Sequence, residues 1–173
     1  MAFEYPKLHL YRMSGSCSLV PHMLLRHLDI PFDHTALEYG GGGAAVDGSF
    51  DAATYKRNVN ATGQVPSLAV GGGAADNKPG DGIVTQNAAV VGYIAELAQQ
   101  AGHPDAAGLL GGSGPGALLA RARVQQWVAY ATSFVHAQGF ATGYAPATFT
   151  EGGDETICAS VAAKGRQKIA TAF

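Results

Sequence analysis

The chain has 173 residues, of which 47% are hydrophobic and 14% charged, and its formal net charge at pH 7 is −2. This composition argues against disorder, and the scattered basic residues give little support to nucleic-acid binding. No apolar run approaches the roughly 20 residues of a membrane helix, and residues 1–6 lack the basic start and apolar core of a signal peptide. We therefore expect a soluble, cytoplasmic protein with no nucleic-acid or membrane partner.

The first third of the chain has the pattern of a β-α-β unit. Apolar and polar residues alternate over 7–11, which predicts a strand with one buried face. Apolar residues then recur at helical spacing over 19–28, where we expect Val20, Leu24 and Leu28 to face the core. A second strand is predicted over 33–37, followed by a glycine-rich loop and a short helix.

A thiol and two hydroxyl groups stand where the first predicted helix begins, on Ser16, Cys17 and Ser18. The first N–H groups of a helix lack intrahelical partners and carry partial positive charge, which favours a thiolate or a bound anion. We therefore predict that Cys17 is more acidic than an ordinary cysteine, with a space-filling buried cysteine as the alternative. Cys158 is interpreted as packing. We predict no metal site, because no cysteine and histidine residues have the spacing of metal ligands.

The middle of the chain predicts a hairpin and a helix. A turn and a proline precede a strand that ends at residue 70, and the strand pattern resumes over 82–85. The glycine-rich tip between them, residues 71–82, is interpreted as a surface insertion. Pro66 cannot donate a hydrogen bond to a sheet, so we expect it at the first position of its strand or on an edge. Residues 86–100 have helical spacing.

Helical patterns alone follow the last strand. Residues 102–116 are rich in glycine and proline and are interpreted as a linker. Beyond them, one long amphipathic helix is predicted from Pro115 and another from Asp154, which is a candidate N-cap. We therefore predict an α/β domain over 1–101, a linker over 102–116 and an all-helical domain over 117–173.

This order of elements, with a cysteine at the first helix start and an X-Pro pair before the third strand, resembles the glutathione S-transferases, most closely their bacterial beta class. The resemblance implies a thioredoxin-like N-terminal domain with a mixed sheet in the order βαβ-α-ββα, followed by a helical domain. It also implies glutathione as co-substrate, a small electrophile as second substrate, and a homodimer. Four segments carry it, and together they cover most of residues 7–140: 10–28, 60–70, 82–96 and 122–140.

The resemblance implies where glutathione is held. Val65 and Pro66 are expected to form a cis peptide whose preceding backbone groups pair with the cysteinyl part of glutathione as an added strand. Gln86 and Asn87, at the start of the next helix, match the positions that hold the γ-glutamyl end. Amide side chains and free N–H groups at a helix start can receive a carboxylate there.

The resemblance also names candidate catalytic residues. Cys17 matches the active-site cysteine of the beta class, and His136 matches the histidine that projects from the first helix of the helical domain. The site must lower the pKa of the glutathione thiol, for which Ser16 and Ser18 are candidate hydrogen-bond donors. From periodicity alone, a half-buried, hydrogen-bonded histidine is an equal interpretation of His136.

Three departures from the family pattern affect these assignments. One extra residue separates Tyr11 from Cys17, and Thr62 stands where the beta class often has a lysine. The chain stops at Phe173 in the midst of a helical pattern, so we expect a truncated helical domain. The predicted function is conjugation of glutathione to a small electrophile. The alternatives are thiol-disulfide exchange through Cys17 and a non-catalytic glutathione-fold binding module.

Overall fold

The computed structural model describes residues 3–71 and 82–172. The predicted order β-α-β-α-β-β-α followed by helices is confirmed. The surface insertion predicted over 71–82 lies outside the described residues except at its two ends. The elements are β1 (Leu8–Met13), α1 (Leu19–His27), β2 (Asp33–Leu37), α2 (Ala52–Asn58), β3 (Ser67–Val70), β4 (Ile83–Thr85), α3 (Asn87–Gln100), α4 (Ala106–Leu109), α5 (Ala117–Tyr130), a π-helical segment (Ala131–Ala141), α6 (Thr142–Tyr144), a 3₁₀ turn (Pro146–Phe149) and α7 (Glu155–Ala172).

The four strands form one mixed sheet in the order β2-β1-β3-β4. β1 and β2 are parallel, as expected for strands joined by the crossover helix α1. β3 is antiparallel to both of its neighbours, and its first residue, Ser67, is paired with Tyr11 of β1 and with Thr85 of β4. The end of β1, the start of β3 and the end of β4 therefore lie at the same end of the sheet.

Two hydrophobic clusters pack on opposite faces of this sheet. Alternation along β1 sends Leu8 and Leu10 to one face and Tyr11 to the other. The first cluster joins the strands to α1 and α3, while Tyr55 of α2 packs in the second cluster with its ring centroid 5.5 Å from that of Tyr11. Each leucine that folding removes fully from water contributes about 1.5–3 kcal/mol to stability.

The face that α1 turns to the core differs in part from the predicted one. The helix buries Pro21 and Leu25, whereas Val20 is exposed together with its neighbours Leu19 and Met23. Of the other predicted core positions, Leu28 is buried at the C-terminal cap of the helix, and Leu24 is partly buried and packs against the first cluster. Residues 21, 25 and 28 also satisfy helical spacing, so both faces are apolar and contact with the sheet selects between them.

The chain divides into two compact units, residues 1–112 and 113–173. The segment 102–116, interpreted from sequence as a linker, contains the short helix α4, in which Ala106 is fully buried in the first cluster of the N-terminal unit. Over the described part of the chain, no helix combines the length and apolar character that a membrane crossing requires.

The C-terminal unit is helical, as predicted. Asp154 caps α7 as expected, because its carboxylate accepts the Ile157 N–H at 3.0 Å. The long predicted helix differs from a regular one, since it widens into the π-helical segment where Thr132 and Ser133 donate their hydroxyl hydrogens to the carbonyls four residues earlier. Trp127 of α5 is 66% exposed.

Small residues bring the helices of this unit close together. At Gly165 of α7, an added Cβ would overlap the Gly143 amide nitrogen and the Thr142 hydroxyl, and it would lie 2.7 Å from the Gly139 carbonyl oxygen. At Gly143 the nearest atoms to an added Cβ are 3.6 Å away or farther, which is ordinary contact. The packing of α7 therefore requires glycine at residue 165.

We predict that Gly165→Ala destabilises the helical unit by about 1–3 kcal/mol, because the added methyl group overlaps backbone atoms that cannot move aside cheaply. Urea unfolding followed by the fluorescence of Trp127, the single tryptophan of the chain, measures this. Gly143→Ala is the matched control and should retain wild-type stability. Equal midpoints for Gly165→Ala and the wild type would contradict the close packing.

Candidate functional site

Three chain segments that the sequence analysis singled out separately meet at one end of the sheet. Ser67 pairs with Thr85 and Tyr11, so the residues just before β3, just after β4 and just after β1 are neighbours. These residues are Val65 and Pro66, Gln86 and Asn87, and the turn that carries Cys17. Strand register therefore brings the predicted thiol, the predicted backbone edge and a helix start together within the N-terminal unit.

The turn before α1 is held by two serine side chains. The Met13 N–H donates to Ser18 Oγ at 2.9 Å, and the Ser16 hydroxyl donates to the Met13 carbonyl at 2.8 Å. The two serine Oγ atoms are 2.7 Å apart, and the Ser18 N–H donates to Ser16 Oγ at 3.2 Å. These bonds close the turn between β1 and α1 and so determine where Cys17 lies.

The prediction that Ser18 donates a hydrogen bond to the glutathione thiol does not fit this geometry. Ser18 has 0% exposed surface, and both its hydroxyl group and its backbone N–H are engaged within the turn. Ser18 therefore supports the turn from inside. Ser16, the other candidate donor, retains partial exposure.

Cys17 lies beside the backbone that precedes β3. Its Sγ atom is 3.5 Å from the Val65 carbonyl oxygen, to which the thiol donates, and the side chain is half-buried. Burial raises the pKa of the Cys17 thiol. A backbone hydrogen bond at Cys17 lowers the pKa, but by less than burial raises it. The prediction of an unusually acidic Cys17 is therefore wrong, because loss of hydration on burial is the largest influence on its pKa.

The Val65–Pro66 peptide bond is cis, as the resemblance implied. Pro66 is buried at the position directly before β3, whereas Val65 is partly exposed and precedes the paired residues of that strand. Within residues 3–71 and 82–172, the Val65 carbonyl accepts from Cys17, and the Val65 N–H donates no hydrogen bond. This backbone group is thus available to a peptide ligand.

The start of α3 has two unusual features. Gln86 has a φ of +71°, in the left-handed region that non-glycine residues rarely adopt, and its side chain makes no capping hydrogen bond. The Asn87 Oδ1 atom is buried and has no hydrogen-bond partner among the described residues. Backbone strain and an unpartnered buried acceptor in one place are typical of a ligand site.

Sequence patterns missed Tyr55 and Asn60. Tyr55 is fully buried and Asn60 nearly so, and both donate hydrogen bonds to the Gln64 carbonyl, at 2.8 Å and 2.9 Å. Their signal in the sequence is weak, since an aromatic residue in a short helix and an asparagine in a turn are common.

His136 lies in the π-helical segment of the other unit, where its side chain is exposed. The structure therefore brings together five of the predicted residues, Cys17, Val65, Pro66, Gln86 and Asn87, in the N-terminal unit, and it places His136 on the helical unit. In the described ranges, no three His, Cys, Asp or Glu side chains are grouped in a way that would hold a metal ion.

No protein-family model matches the sequence. A curated relative, glutathione S-transferase GST-4.5 of Xanthomonas campestris pv. campestris, is 33% identical to this chain over 131 residues. The alignment covers 73% of this chain and 49% of the relative, so the chain spans about half the length of the curated protein that it matches.

Solved structures of the same fold agree with this match. The glutathione S-transferase of Xylella fastidiosa is 31% identical, with a TM-score of 0.63, over 95% of this chain and 66% of its own. A bacterial beta-class glutathione S-transferase of Sphingomonas chungbukensis is 25% identical, with a TM-score of 0.59, over 90% of this chain and 64% of its own. Several other structures with this fold contain glutathione. The N-terminal unit is thus a thioredoxin-like domain, followed by a helical domain.

The raised pKa of Cys17 predicts slow alkylation at neutral pH. The thiolate is the reactive form, so the rate of reaction with iodoacetamide should rise with pH and reach half its maximum above the pKa of an unperturbed cysteine. The modification of Cys17 is followed by mass spectrometry, with Cys17→Ser as the blank. A midpoint below that of a free cysteine would restore the original expectation of an acidic thiol.

The buried position of Ser18 predicts that Ser18→Ala lowers stability. The Met13 N–H loses its acceptor, which costs about 1–3 kcal/mol for a buried donor. Circular dichroism during urea unfolding measures the loss. Ser49→Ala is the control, because the hydroxyl of Ser49 bonds Asp47 on the exposed surface. Unchanged stability together with lost activity would instead identify Ser18 as a donor to substrate.

Proposed function

Because this chain belongs to the glutathione S-transferase family, we propose that it is a glutathione transferase, which joins the glutathione thiolate to a small electrophile. The observation that carries the proposal is the contact between Cys17 Sγ and the Val65 carbonyl, 3.5 Å long. This contact places a turn at a helix start beside the backbone segment that precedes β3. A tripeptide that pairs with Val65 would therefore hold its own cysteine next to Cys17.

Glutathione binds as a short additional strand in this proposal. The Val65 N–H is the donor for the cysteinyl carbonyl of the ligand, as in other peptides that extend a sheet edge. The γ-glutamyl carboxylate lies at the start of α3, where free N–H groups and the Gln86 side chain favour an anion. The buried Asn87 Oδ1, which lacks a donor in the described structure, accepts from the γ-glutamyl ammonium group.

The sulfur of glutathione, rather than that of Cys17, is the nucleophile in this mechanism. The glutathione thiol gives its proton to solvent, its sulfur forms a bond to the electrophilic carbon, and the leaving group departs with the electron pair. Cys17 lines the position of the glutathione sulfur. His136 remains a candidate catalytic residue by its match to the family, and its side chain is exposed.

Thiol-disulfide exchange through Cys17 is the second candidate function. There, Cys17 would attack a glutathione mixed disulfide, release the other thiol, and be regenerated by a second glutathione. The half-exposed thiol beside Val65 supports access, whereas its raised pKa disfavours attack at neutral pH. A non-catalytic module would bind glutathione and perform neither reaction.

Calorimetric titration of the 173-residue chain with glutathione tests the proposal, followed by two assays on the wild type and Cys17→Ala. Conjugation is measured with an activated aryl chloride, and exchange with a mixed disulfide of glutathione. We expect binding, and conjugation that survives Cys17→Ala. Exchange that Cys17→Ala abolishes, without conjugation, would favour the second function. Binding alone would favour a module, and no binding would overturn all three.

The remaining assignments rest on the family. We propose a homodimer that acts in the cytoplasm, with glutathione and a small electrophile as its small-molecule partners and no resident metal. Within the chain, the proposed division is a glutathione-binding domain over 1–101, a connection over 102–116 and a helical domain over 117–173 that contains His136.

A further inference from the structure

A buried hydrogen-bond network lies behind the proposed glutathione edge. The Tyr55 hydroxyl donates to the Gln64 carbonyl at 2.8 Å, and Asn60 Nδ2 donates to the same oxygen at 2.9 Å. A carbonyl oxygen has two lone pairs, so these two donors satisfy it fully. The Gln64 carbonyl is therefore held toward the interior of the domain.

The orientation of both donors is dictated by their other partners. Asn60 Oδ1 accepts from the Thr62 N–H at 3.1 Å and from the Thr62 hydroxyl at 2.8 Å, which leaves only the amide nitrogen to face Gln64. Tyr55 has one hydroxyl hydrogen, which goes to Gln64, so the buried Ser67 hydroxyl, 3.0 Å away, donates to Tyr55. Burial raises the pKa of Tyr55 to about 12, so its hydroxyl remains a donor at neutral pH.

Peptide geometry carries this constraint to the opposite side of the backbone. The Gln64–Val65 bond is trans, and in a planar trans peptide the carbonyl and the following N–H point in opposite directions. When the Gln64 carbonyl points inward, the Val65 N–H must point outward. The structure agrees, since no group among the described residues accepts a hydrogen bond from the Val65 N–H.

We propose that Tyr55 and Asn60 are positioning residues for glutathione, which aim the Val65 N–H at the ligand by holding the Gln64 carbonyl. The inference rests on the function proposed above, and neither residue needs to touch the ligand. A peptide unit that is already oriented loses less conformational entropy on binding than one that can rotate. Removing either donor should therefore weaken glutathione affinity through the backbone.

Calorimetric titration with glutathione compares the wild type with Tyr55→Phe and Asn60→Asp. The expected increase in Kd is about threefold for Tyr55→Phe and about tenfold for Asn60→Asp. The second change removes an amide nitrogen that donates to the Gln64 carbonyl and also lies 3.4 Å from Ser67 Oγ, to which it donates. Tyr93→Phe is the control. Tyr93 packs, partly buried, against the first hydrophobic cluster, away from the Gln64 carbonyl, so affinity should not change.

Hydrogen exchange of the Val65 amide, measured by NMR, separates positioning from general stability. Glutathione should slow this exchange in the wild type and slow it less in Tyr55→Phe at equal saturation. A purely structural role would lower the thermal midpoint and leave the protection at Val65 unchanged, which would overturn the inference. Because Tyr55→Phe keeps the buried ring, it remains decisive where Asn60→Asp fails to fold.

The outcomes also distinguish this inference from the function on which it rests. If the wild type binds no glutathione, the proposed function and the positioning role both fail. If the wild type binds glutathione, and both variants bind it equally tightly with equal protection of Val65, the positioning role alone fails.

Discussion

The pairing of Ser67 with two strands is the constraint on which the candidate site depends. Because β3 is antiparallel to both β1 and β4, its first residue lies beside the end of each neighbour. Cys17 follows one of those ends and Gln86 the other. A shift of one residue in this register would turn every side chain of β3 to the opposite face and would separate the helix start, the thiol and the backbone edge.

Polar side chains in the N-terminal unit make hydrogen bonds to backbone groups around the site. Ser18 holds the turn before Cys17 through Met13, and Tyr55 and Asn60 hold the carbonyl of Gln64. Each of them is buried or nearly buried, where a missing partner would cost free energy. Their hydrogen bonds therefore specify one conformation for two irregular segments that the sheet ladder does not reach.

Electrostatics around Cys17 are a balance between two opposing effects. A helix start stabilises a nearby anion by about 0.3–1 kcal/mol at exposed positions, which is less than one pKa unit. Half-burial removes hydration from the thiolate, and the Val65 carbonyl accepts a hydrogen bond from the protonated thiol. Burial therefore has the largest effect on the pKa of Cys17, which rises. This is consistent with a site whose reactive thiol arrives with the ligand.

Local patterns were enough to predict the element order and the helix cap at Asp154. They also predicted that Cys17 precedes the first helix, that Val65 precedes the third strand and that Gln86 lies at the start of the next helix. These features depend on near neighbours in the sequence, through alternation, helical spacing and capping. Long-range contacts settled what those patterns left open. They include which apolar face of α1 packs on the sheet, the burial that raises the pKa of Cys17, and the hydrogen bonds from Tyr55 and Asn60 to the Gln64 carbonyl. Such properties depend on atoms brought together by strand register and packing, which periodicity along one segment does not encode.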